Sequence, residues 1–398
     1  MKSHFDVIIM GAGSVGVPTA HFLTQKGYTV LVLEKRSSAG QGQNKTAIGG
    51  VRATHSDPAK IKICQKSLEI FSGWEDKFGH SVGWKKGGYT FPVFGDREEH
   101  ILKSILPIQK EFELNIDWVG EDKIREIVPG INPNGLRGGT YSPDDGQVSP
   151  LMAIEAISRA AREGGAEFLF RTEVTDLVVG KSTETSDDGM SMKRIDGVKT
   201  TRGNFTADIV INASGAQARE LGSMAGLNIP VFPDSHEAGI SAPIKDFLDP
   251  LVVDLRPGAE GKTVNFYFGQ NHDNAIIFCY TPKVPMVGLD QSATSEFMPI
   301  IANRLVSLIP RLKNLTIRRL WRGLYPMTPD GVAIVGQAPN FENHFLEVGM
   351  CGQGFMMGPG VGFELANLID TGKTEIPADV FEMLRPDREF TGKVEALK

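Results

Sequence analysis

The chain has few of the residues that build disulfide frameworks and metal sites. Only 3 of its 398 residues are cysteines (Cys64, Cys279 and Cys351), and no two of them are close enough for a CxxC pair. Its 8 histidines include no HxH or HExxH arrangement, which metal sites commonly use. The sequence therefore predicts no metal centre and no disulfide scaffold, and it favours a reducing, cytoplasmic compartment.

Long apolar runs and an excess of one charge are also absent. No stretch approaches the about 18 apolar residues that a membrane-spanning helix needs. The first apolar run begins at Phe5, so we expect no signal peptide and no transmembrane segment. A formal net charge of −6 gives no reason to expect a nucleic-acid partner. The composition instead suits two interleaved domains with large cores, since 41% of the residues are hydrophobic.

Glycine, by contrast, is placed with a clear pattern near the N-terminus. An apolar run, Phe5 to Met10, leads into Gly-Ala-Gly-Ser-Val-Gly at residues 11–16, a helical pattern, a second apolar run and Glu34. This order is typical of a dinucleotide-binding unit, in which the pyrophosphate lies at the helix N-terminus and the acid binds a ribose. The motif alone does not separate FAD from NAD. The predicted contacts are Gly11, Ala12, Gly13, Ser14, Val15, Gly16, Glu34 and Lys35.

Helix and strand signals divide the rest of the chain into α/β segments and β-rich segments. Ser56-Asp57-Pro58 and Ser149-Pro150 mark helix starts, while Glu167 to Phe170 and Ala207 to Asn212 are typical of strands. The polar residues 181–192 predict a hairpin loop. The expected domains are an α/β domain of residues 1–83, 146–215 and 326–398, and a β-rich domain of residues 84–145 and 216–325. Such an interleaved arrangement places a cleft between domains, where ligands commonly bind.

Four further motifs carry a resemblance. They are residues 40–55, the sequence Asp-Gly-Gln-Val at 145–148, the strand end at 210–216, and Thr-Pro-Asp-Gly at 328–331 followed by a glycine-rich stretch at 349–362. In this order the chain resembles the D-amino-acid-oxidase-like FAD-dependent oxidoreductases, in the branch of sarcosine oxidase and its β subunit, glycine oxidase and the L-proline dehydrogenase β subunit. The resemblance implies an α/β fold. A Rossmann-like FAD-binding domain of the glutathione-reductase-2 type would be interleaved with an antiparallel-sheet α+β substrate domain.

The resemblance also implies where FAD binds, without a covalent bond. A loop along the flavin and a second glycine loop opening a helix at Gly360 to Ile369 would hold the ring, and Cys351 is expected to be a small buried thiol. The N–H groups of that second loop can stabilise the negative charge of the reduced flavin. The further cofactor residues implied are Asn44, Lys45, Thr46, Val174, Ala213, Ser214, Gly215, Gly331, Gly352, Gln353, Gly354, Phe355 and Met356.

Substrate recognition follows from the same resemblance. Arg52 falls where sarcosine oxidases bind a carboxylate, a task that suits a planar guanidinium. Arg52, Gln353 and Lys45 are the expected catalytic residues. The chain departs from monomeric sarcosine oxidase at Gln353 and Met356, which replace a histidine and a lysine, and at Ile277, which replaces a lysine that activates oxygen. The expected pocket residues are Arg52, Tyr267, Gln270, Trp321, Tyr325 and Met356.

The implied activity is oxidation of a C–N bond in an amine or amino acid such as sarcosine, proline, glycine or a D-amino acid. Hydride passes to flavin N5 and an imine forms, with a dehydrogenase favoured slightly over an oxidase and with O2 or another carrier as acceptor. One alternative is a 2-hydroxy-acid dehydrogenase, whose base would be His55 or His272. Another is a flavin-carrying subunit of a hetero-oligomer, as opposed to a homo-oligomeric enzyme.

Overall fold

The computed structural model describes residues 3–185 and 191–390, so residues 186–190 of the predicted polar loop lie outside the described residues. Its helices are α1 (Gly16–Gln25), α2 (Pro58–Phe78), α3 (Asp96–Glu111), α4 (Glu121–Ile127), α5 (Pro150–Glu163), α6 (Ala218–Met224), α7 (Phe297–Leu308), α8 (Gly354–Thr371) and α9 (Ala378–Glu382). Its strands are β1 (His4–Met10), β2 (Val30–Glu34), β3 (Gly50–Val51), β4 (Lys85–Lys86), β5 (Tyr89–Val93), β6 (Asp117–Val119), β7 (Gly138–Ser142), β8 (Gly146–Gln147), β9 (Glu167–Phe170), β10 (Val174–Thr185), β11 (Ser191–Thr200), β12 (Gly203–Asn212), β13 (Phe232–Pro243), β14 (Leu251–Asp254), β15 (Thr263–Gln270), β16 (Ala275–Pro282), β17 (Ile317–Met327), β18 (Ile334–Gln337) and β19 (His344–Val348).

The first sheet has β1 at its centre. Strands β2 and β12 pair with β1 in parallel, β9 lies beyond β2, and β19 pairs with β12. The register places Val7 beside Val30. Both faces of β1 are covered, because Val7 and Ile9 pack in one buried cluster while Ile8 and Met10 pack in another. Burial on both faces explains why β1 is a continuous apolar run in the sequence and does not alternate.

The second sheet is mostly antiparallel and has the order β17-β13-β16-β15-β14-β5-β7-β6, with β5 and β14 parallel. Helix α7 covers one face, where Phe297 packs with Phe266 and Phe278. Since side chains alternate along a strand, the intervening residues Tyr267 and Cys279 face the opposite side. The predicted fold class, a Rossmann-like domain combined with an antiparallel α+β domain, is confirmed, and the residue boundaries of the two domains stay a prediction.

Both predicted helix starts carry capping side chains. Asp57 accepts a hydrogen bond from Lys60 N at the start of α2, and Ser149 accepts one from Met152 N at the start of α5. Each cap is followed by a proline in the first turn, which has no N–H that needs a partner. Among the described residues, no helix has both the length and the apolar character that crossing a membrane requires.

The second glycine-rich stretch differs from the prediction. Helix α8 begins at Gly354, so Gly358, Gly360 and Gly362 lie inside a helix and do not form a loop before it. A Cβ at Gly358 would lie 1.9 Å from Ser14 O, and one at Gly360 would lie 2.2 Å from Ile63 O. These glycines allow α8 to approach the backbones around α1 and α2, a role that the sequence pattern does not distinguish from that of a turn.

The described residues of the predicted polar loop also differ from the expectation. Strand β10 continues to Thr185 and β11 begins at Ser191, so every described residue of the range 181–192 lies in a strand. Antiparallel pairing between Lys181 and Lys193 holds this extension. The polar composition resembles that of a loop, but it also suits a hairpin that has one side in solvent. The pairing of β10 with β11 therefore decides the structure here, against the local composition.

A buried carboxyl in the first sheet makes stability depend on pH. Glu347 on β19 is 1% exposed and accepts a 2.6 Å hydrogen bond from Thr19 Oγ1. Burial raises the pKa of Glu347 to about 8, with the Thr19 bond opposing the rise only in part. Above pH 4.5 the unfolded chain loses this proton while the native chain keeps it. Stability therefore falls as the pH rises through this interval and levels off above the folded pKa.

We expect Glu347→Gln to remove that fall, because an amide does not ionise. Between pH 5 and pH 8, the wild-type free energy of unfolding should drop by roughly 2–4 kcal/mol more than that of the variant. Urea denaturation at the two pH values measures the difference. The exposed Glu163→Gln is the control and should follow the wild type. Equal pH slopes for wild type and Glu347→Gln would show that the buried carboxyl is not the cause.

Candidate active site

The first glycine turn is closed by backbone contacts at the end of β12. Gly11 has a φ of +122°, and a Cβ there would lie 2.6 Å from Ala213 O, while a Cβ at Gly16 would lie 2.2 Å from Gly11 O. Gly13 has open space around it. Helix α1 has no side-chain cap at Val15 and no acidic residue in its first turn. The turn therefore presents an uncapped helix N-terminus and free space to an anion.

The predicted ribose-binding acid lies beside this turn. Glu34 at the end of β2 accepts hydrogen bonds from Ala12 N at 3.0 Å and from Arg36 N at 2.8 Å. Thr172 N donates to Glu34 O at 2.9 Å, which brings the start of β10 and its buried Val174 to the same sheet edge. Lys35 instead forms an exposed ion pair with Glu173, with an Nζ–Oε1 distance of 3.6 Å.

The loop after β2 connects the glycine turn to the second sheet. Gly40 N donates to Ala12 O at 2.8 Å, and Asn44 Nδ2 donates to Pro150 O at 2.8 Å. Asn44 Oδ1 is buried and has no partner, so it can accept a hydrogen bond from a ligand. At the end of this loop, Thr46 O accepts a 2.9 Å hydrogen bond from Trp321 Nε1 on β17.

The turn before α8 approaches the site from the other side. Cys351 adopts a φ of +51° in a short 3-10 turn, and a Cβ at Gly352 would lie 2.6 Å from the Tyr325 ring. Gly354 lies near Ser14 of the first glycine turn. The segment 352–354, which contains Gln353, therefore lies between that turn and Tyr325, and its contact with a flavin stays a prediction.

Three other residues of this region have different surroundings. Phe355 stacks on Phe71 with ring centroids 5.5 Å apart. Met356 is partly buried against the core of the first sheet, on the first turn of α8, and its place in the substrate pocket stays a prediction. Gly331 lies in a turn with a φ of +72°, next to the Asp330 carboxylate that binds Arg388.

Neutral polar groups occupy part of the face of the second sheet opposite α7. The strand register aligns Tyr267, Cys279, Ala238 and Trp321 across four strands. Tyr267 and Tyr325 are joined by a 2.8 Å hydrogen bond between their hydroxyls. Burial raises the pKa of Cys279 to about 12 and raises the pKa of both tyrosines above the usual value. This surface, called the site face below, therefore presents protonated phenols and an uncharged thiol.

The sequence did not reveal an acid–histidine pair on the same face. Asp234 and His236 lie two residues apart on β13, with Oδ2 and Nε2 separated by 3.2 Å. The His236 ring stacks on Tyr325 with centroids 4.0 Å apart, and its buried Nδ1 has no partner. Burial opposes ionisation of Asp234, but His236 and the N–H groups of Met286 and Ser235 outweigh it and hold the pKa of Asp234 below its usual value.

Arg52 lies at the edge of the site face and is 7% exposed. Its Nη1 donates to Thr54 O, and its Cζ lies 5.7 Å from the Phe91 ring on β5, two strands from Tyr267. Asp145 lies in the same buried cluster and accepts a hydrogen bond from Ala53 N at 2.9 Å. Burial raises the pKa of Asp145 to about 6, although the hydrogen bond from Ala53 N and the positive charge of Arg52 favour its ionised form.

A cavity of about 190 Å³ opens next to the loop after β2. Trp321 lines it, and so do Lys45, Ile277 and the predicted alternative base His272. His55, the other alternative base, is fully buried with its Nε2 3.6 Å from Cys64 Sγ.

Gln270 corrects a further prediction. Its Oε1 accepts hydrogen bonds from Phe247 N and Leu248 N at 2.9 and 3.2 Å, and its Nε2 donates to Lys245 O at 3.2 Å and to Asn274 O at 3.1 Å. The amide is thereby engaged by backbone groups and fixes the loop after β13. It is not available to line a substrate pocket, because both of its polar atoms already have partners.

Comparison with known proteins agrees with this architecture. The family model of the DAO family, FAD dependent oxidoreductase, matches residues 6–368, and the chain belongs to this family of flavoenzymes. The solved structure of L-proline dehydrogenase from P. horikoshii is 31% identical with a TM-score of 0.88, and the match covers 99% of this chain and 100% of that one. The resemblance predicted from the sequence motifs is confirmed.

Two curated relatives differ in how much of their length the chain represents. Mitochondrial dimethylglycine dehydrogenase of Homo sapiens is 27% identical over 97% of this chain, but the match covers 44% of that protein. Sarcosine oxidase subunit beta of Rhizobium meliloti is 26% identical, over 98% of this chain and 90% of the relative. The chain thus spans less than half of the human relative and most of the bacterial subunit.

The close approach of α8 to the first glycine turn gives a testable prediction. Gly358→Ala would place a methyl group 1.9 Å from Ser14 O, so α8 and the turn must separate. We expect a loss of stability of about 2 kcal/mol or more and weaker FAD retention, measured by denaturation and by flavin release on dilution. Gly73→Ala, inside α2 with open space around it, is the matched control. It should be neutral or slightly stabilising, and a similar response of both variants would contradict the prediction.

Proposed function

We propose that this chain oxidises a C–N bond in an amino acid or N-alkylated amino acid and converts it to an imine. The observation that carries the proposal is the buried guanidinium of Arg52 at the edge of the face that carries the neutral, hydrogen-bonded phenols of Tyr267 and Tyr325. The guanidinium suits a substrate carboxylate. The neutral phenols suit an amine that must react in its uncharged form. The similarity to amine and amino-acid dehydrogenases supports the same activity.

The residues present fit FAD, the cofactor of the family. Open space at Gly13 and the uncapped start of α1 suit a pyrophosphate, and Glu34 suits a ribose. Asn44 Oδ1 and the turn at Gly352 would lie along the flavin end. When bound, FAD supplies the acceptor for the hydride that leaves the substrate carbon. Cys351 Sγ is within 3.3 Å of Gly349 O and 3.5 Å of Thr328 Oγ1, which supports non-covalent binding.

We infer that Arg52 binds the substrate carboxylate and that the tyrosine pair orients the amine. Two parallel hydrogen bonds from a guanidinium fix a carboxylate in one plane. The phenols keep their protons, so they donate hydrogen bonds without adding charge. Trp321 closes the outer side of the site beside Lys45. The protein thereby orients and desolvates a neutral amine, and this reaction requires no strong base.

Oxidation of a 2-hydroxy acid is a second candidate, because the Asp234–His236 pair lies on the site face. A hydroxyl must lose its proton to a base, and a carboxylate-bound histidine is a common base for that step. His236, and not the sequence-predicted His55 or His272, is the residue on which this candidate rests. It stacks on Tyr325 and does not bond the tyrosine hydroxyl, so the amine reaction remains the better match.

We propose a dehydrogenase, because Ile277 lies where sarcosine-oxidase-type relatives have a lysine that assists oxygen. Similarity to a sarcosine oxidase subunit supports a role as the flavin-carrying subunit of a hetero-oligomer, and a homo-oligomer is the alternative assembly. Three buried cysteines without disulfides support a reducing, cytoplasmic compartment. Chromatography from the native host separates the two assemblies.

Anaerobic flavin bleaching tests the proposed activity. The FAD-loaded chain is mixed with sarcosine, dimethylglycine, glycine, L- and D-proline, D-amino acids and 2-hydroxy acids. We expect at least one amine to bleach the flavin, and reoxidation by a dye to be faster than by air. Bleaching by hydroxy acids alone would favour the second candidate, and fast reoxidation by air would identify an oxidase.

The role of Arg52 has its own prediction. Arg52→Lys keeps a positive charge but loses the two-pronged geometry, so KM for the amino acid should rise about 10- to 100-fold. The matched control is the substrate without its carboxyl group, such as pyrrolidine in place of proline. For that amine, wild type and variant should have similar kcat/KM. An unchanged KM for the amino acid would remove Arg52 from this role.

A further inference from the structure

The segment between β16 and α7 is fixed by buried charged side chains although it forms neither helix nor strand. We call Met286–Thr294 the outer segment. Glu237 accepts hydrogen bonds from Thr294 N and Thr294 Oγ1 at 2.7 and 2.6 Å, and Arg322 Nη1 donates to Ser292 O at 2.9 Å. Glu237 is 2% exposed and Arg322 is 8% exposed. Burying charges is unfavourable without such partners, so these side chains are committed to the segment.

Asp234 holds the start of the outer segment and belongs to the site at the same time. Its Oδ1 accepts a 2.7 Å hydrogen bond from Met286 N, while its Oδ2 lies 3.2 Å from His236 Nε2. Ser235 N donates to Met286 O at 3.1 Å, and Gly288 N donates to Pro233 O at 2.9 Å. The segment therefore runs alongside β13, with one carboxylate joining it to the histidine.

From His236 the contacts continue into the proposed substrate site. The ring of His236 stacks on Tyr325 at 4.0 Å, and the Tyr325 hydroxyl bonds that of Tyr267 at 2.8 Å. A rotation of the Asp234 carboxylate would move the imidazole and, with it, the ring against which Gly352 packs. Because Asp234 and His236 are buried and the two tyrosines are half-buried, a small displacement of one group changes the packing of the next.

The outer segment also reaches the loop that would lie along the flavin. Gln291 Nε2 donates to Gln43 Oε1 at 3.2 Å, and the same oxygen accepts a 2.7 Å bond from Leu324 N on β17. Gln43 O accepts a 2.7 Å bond from Thr46 Oγ1. The surface side of the segment is open, since Val287 and Leu289 are exposed. A surface segment is thus connected to two walls of the same site.

We propose that Asp234 is a positioning residue through which the outer segment holds His236 and the tyrosine pair in the geometry that binds substrate. Ligand binding and order in the segment are then coupled, and coupling between two sites is reciprocal. A ligand in the site makes the outer segment more ordered, and loosening the segment at Asp234 lowers the affinity for the ligand. The inference rests on the proposed function, because its probe is an amino-acid-like carboxylate.

Hydrogen–deuterium exchange of the FAD-loaded full chain tests the coupling. Pyrrole-2-carboxylate, a planar carboxylate without an oxidisable amine, is the probe, and the change in flavin absorption gives its Kd. At saturation we expect the Met286 and Gly288 amides to exchange about tenfold more slowly than without ligand. Equal exchange with and without saturating ligand would overturn the proposal, and this arm needs no variant.

Asp234→Asn tests the route, because an amide can keep the bond from Met286 N but loses the charge that faces His236. We expect a Kd for the probe about tenfold higher and no ligand effect on Met286 exchange. Glu237→Gln is the matched control, since Glu237 anchors Thr294 without touching His236. It should speed exchange at Thr294 and leave the Kd within about twofold. A wild-type Kd in Asp234→Asn contradicts the proposal, as does an equal Kd increase in both variants.

A double variant separates positioning from general damage. The double variant with His236→Gln and Asp234→Asn should raise the Kd of the probe no more than the single variant with the larger effect. Both substitutions act through the same chain of contacts. Additive effects would overturn the assigned route. Failure of the proposed function has a different signature. In that case no amine bleaches the wild-type flavin, whereas the exchange effect of the carboxylate probe is measured independently of turnover.

Discussion

The close approach of backbones at the first glycine turn is the constraint on which the rest of the molecule depends. Gly11 abuts Ala213 at the end of β12, and Gly358 abuts Ser14 from α8. No side chain larger than hydrogen fits at either contact. Because these contacts join the first turn to the end of β12 and to the helix after the 351–353 turn, the parts that bracket a dinucleotide are fixed to one another. The second sheet then closes the site through Tyr325 and Trp321.

The sequence was most informative where local signals decide the structure. The strand–turn–helix unit at β1 and α1, and the capped starts of α2 and α5 at Asp57 and Ser149, were predictable because each depends on residues next to one another in the chain. The glycines of α8 were misread for the opposite reason. Gly358 allows a close contact with Ser14, which is more than 300 residues away in the sequence. A glycine that permits such a helix contact looks the same in the sequence as one that permits a turn.

The site was predictable only in part, because its walls come from strands that are far apart in sequence. Tyr267 and Tyr325 were expected in the pocket and share a hydrogen bond. Asp234 and His236 gave no signal, since polar residues two apart on a strand are common. Gln270 was expected to face substrate, but its amide is saturated by backbone groups. Sheet register, which a single sequence does not specify, decides which side chains meet.

The place of β1 in the first sheet has a consequence for how the chain is made. This strand is synthesised well before β12, because the register partner of Ile8 is Val210, and β12 in turn pairs with β19 through Val210 and His344. The cofactor half of the protein is therefore incomplete until most of the chain has been synthesised. Because β12 is far from β1 in the sequence, this long-range pairing is expected to make folding slow.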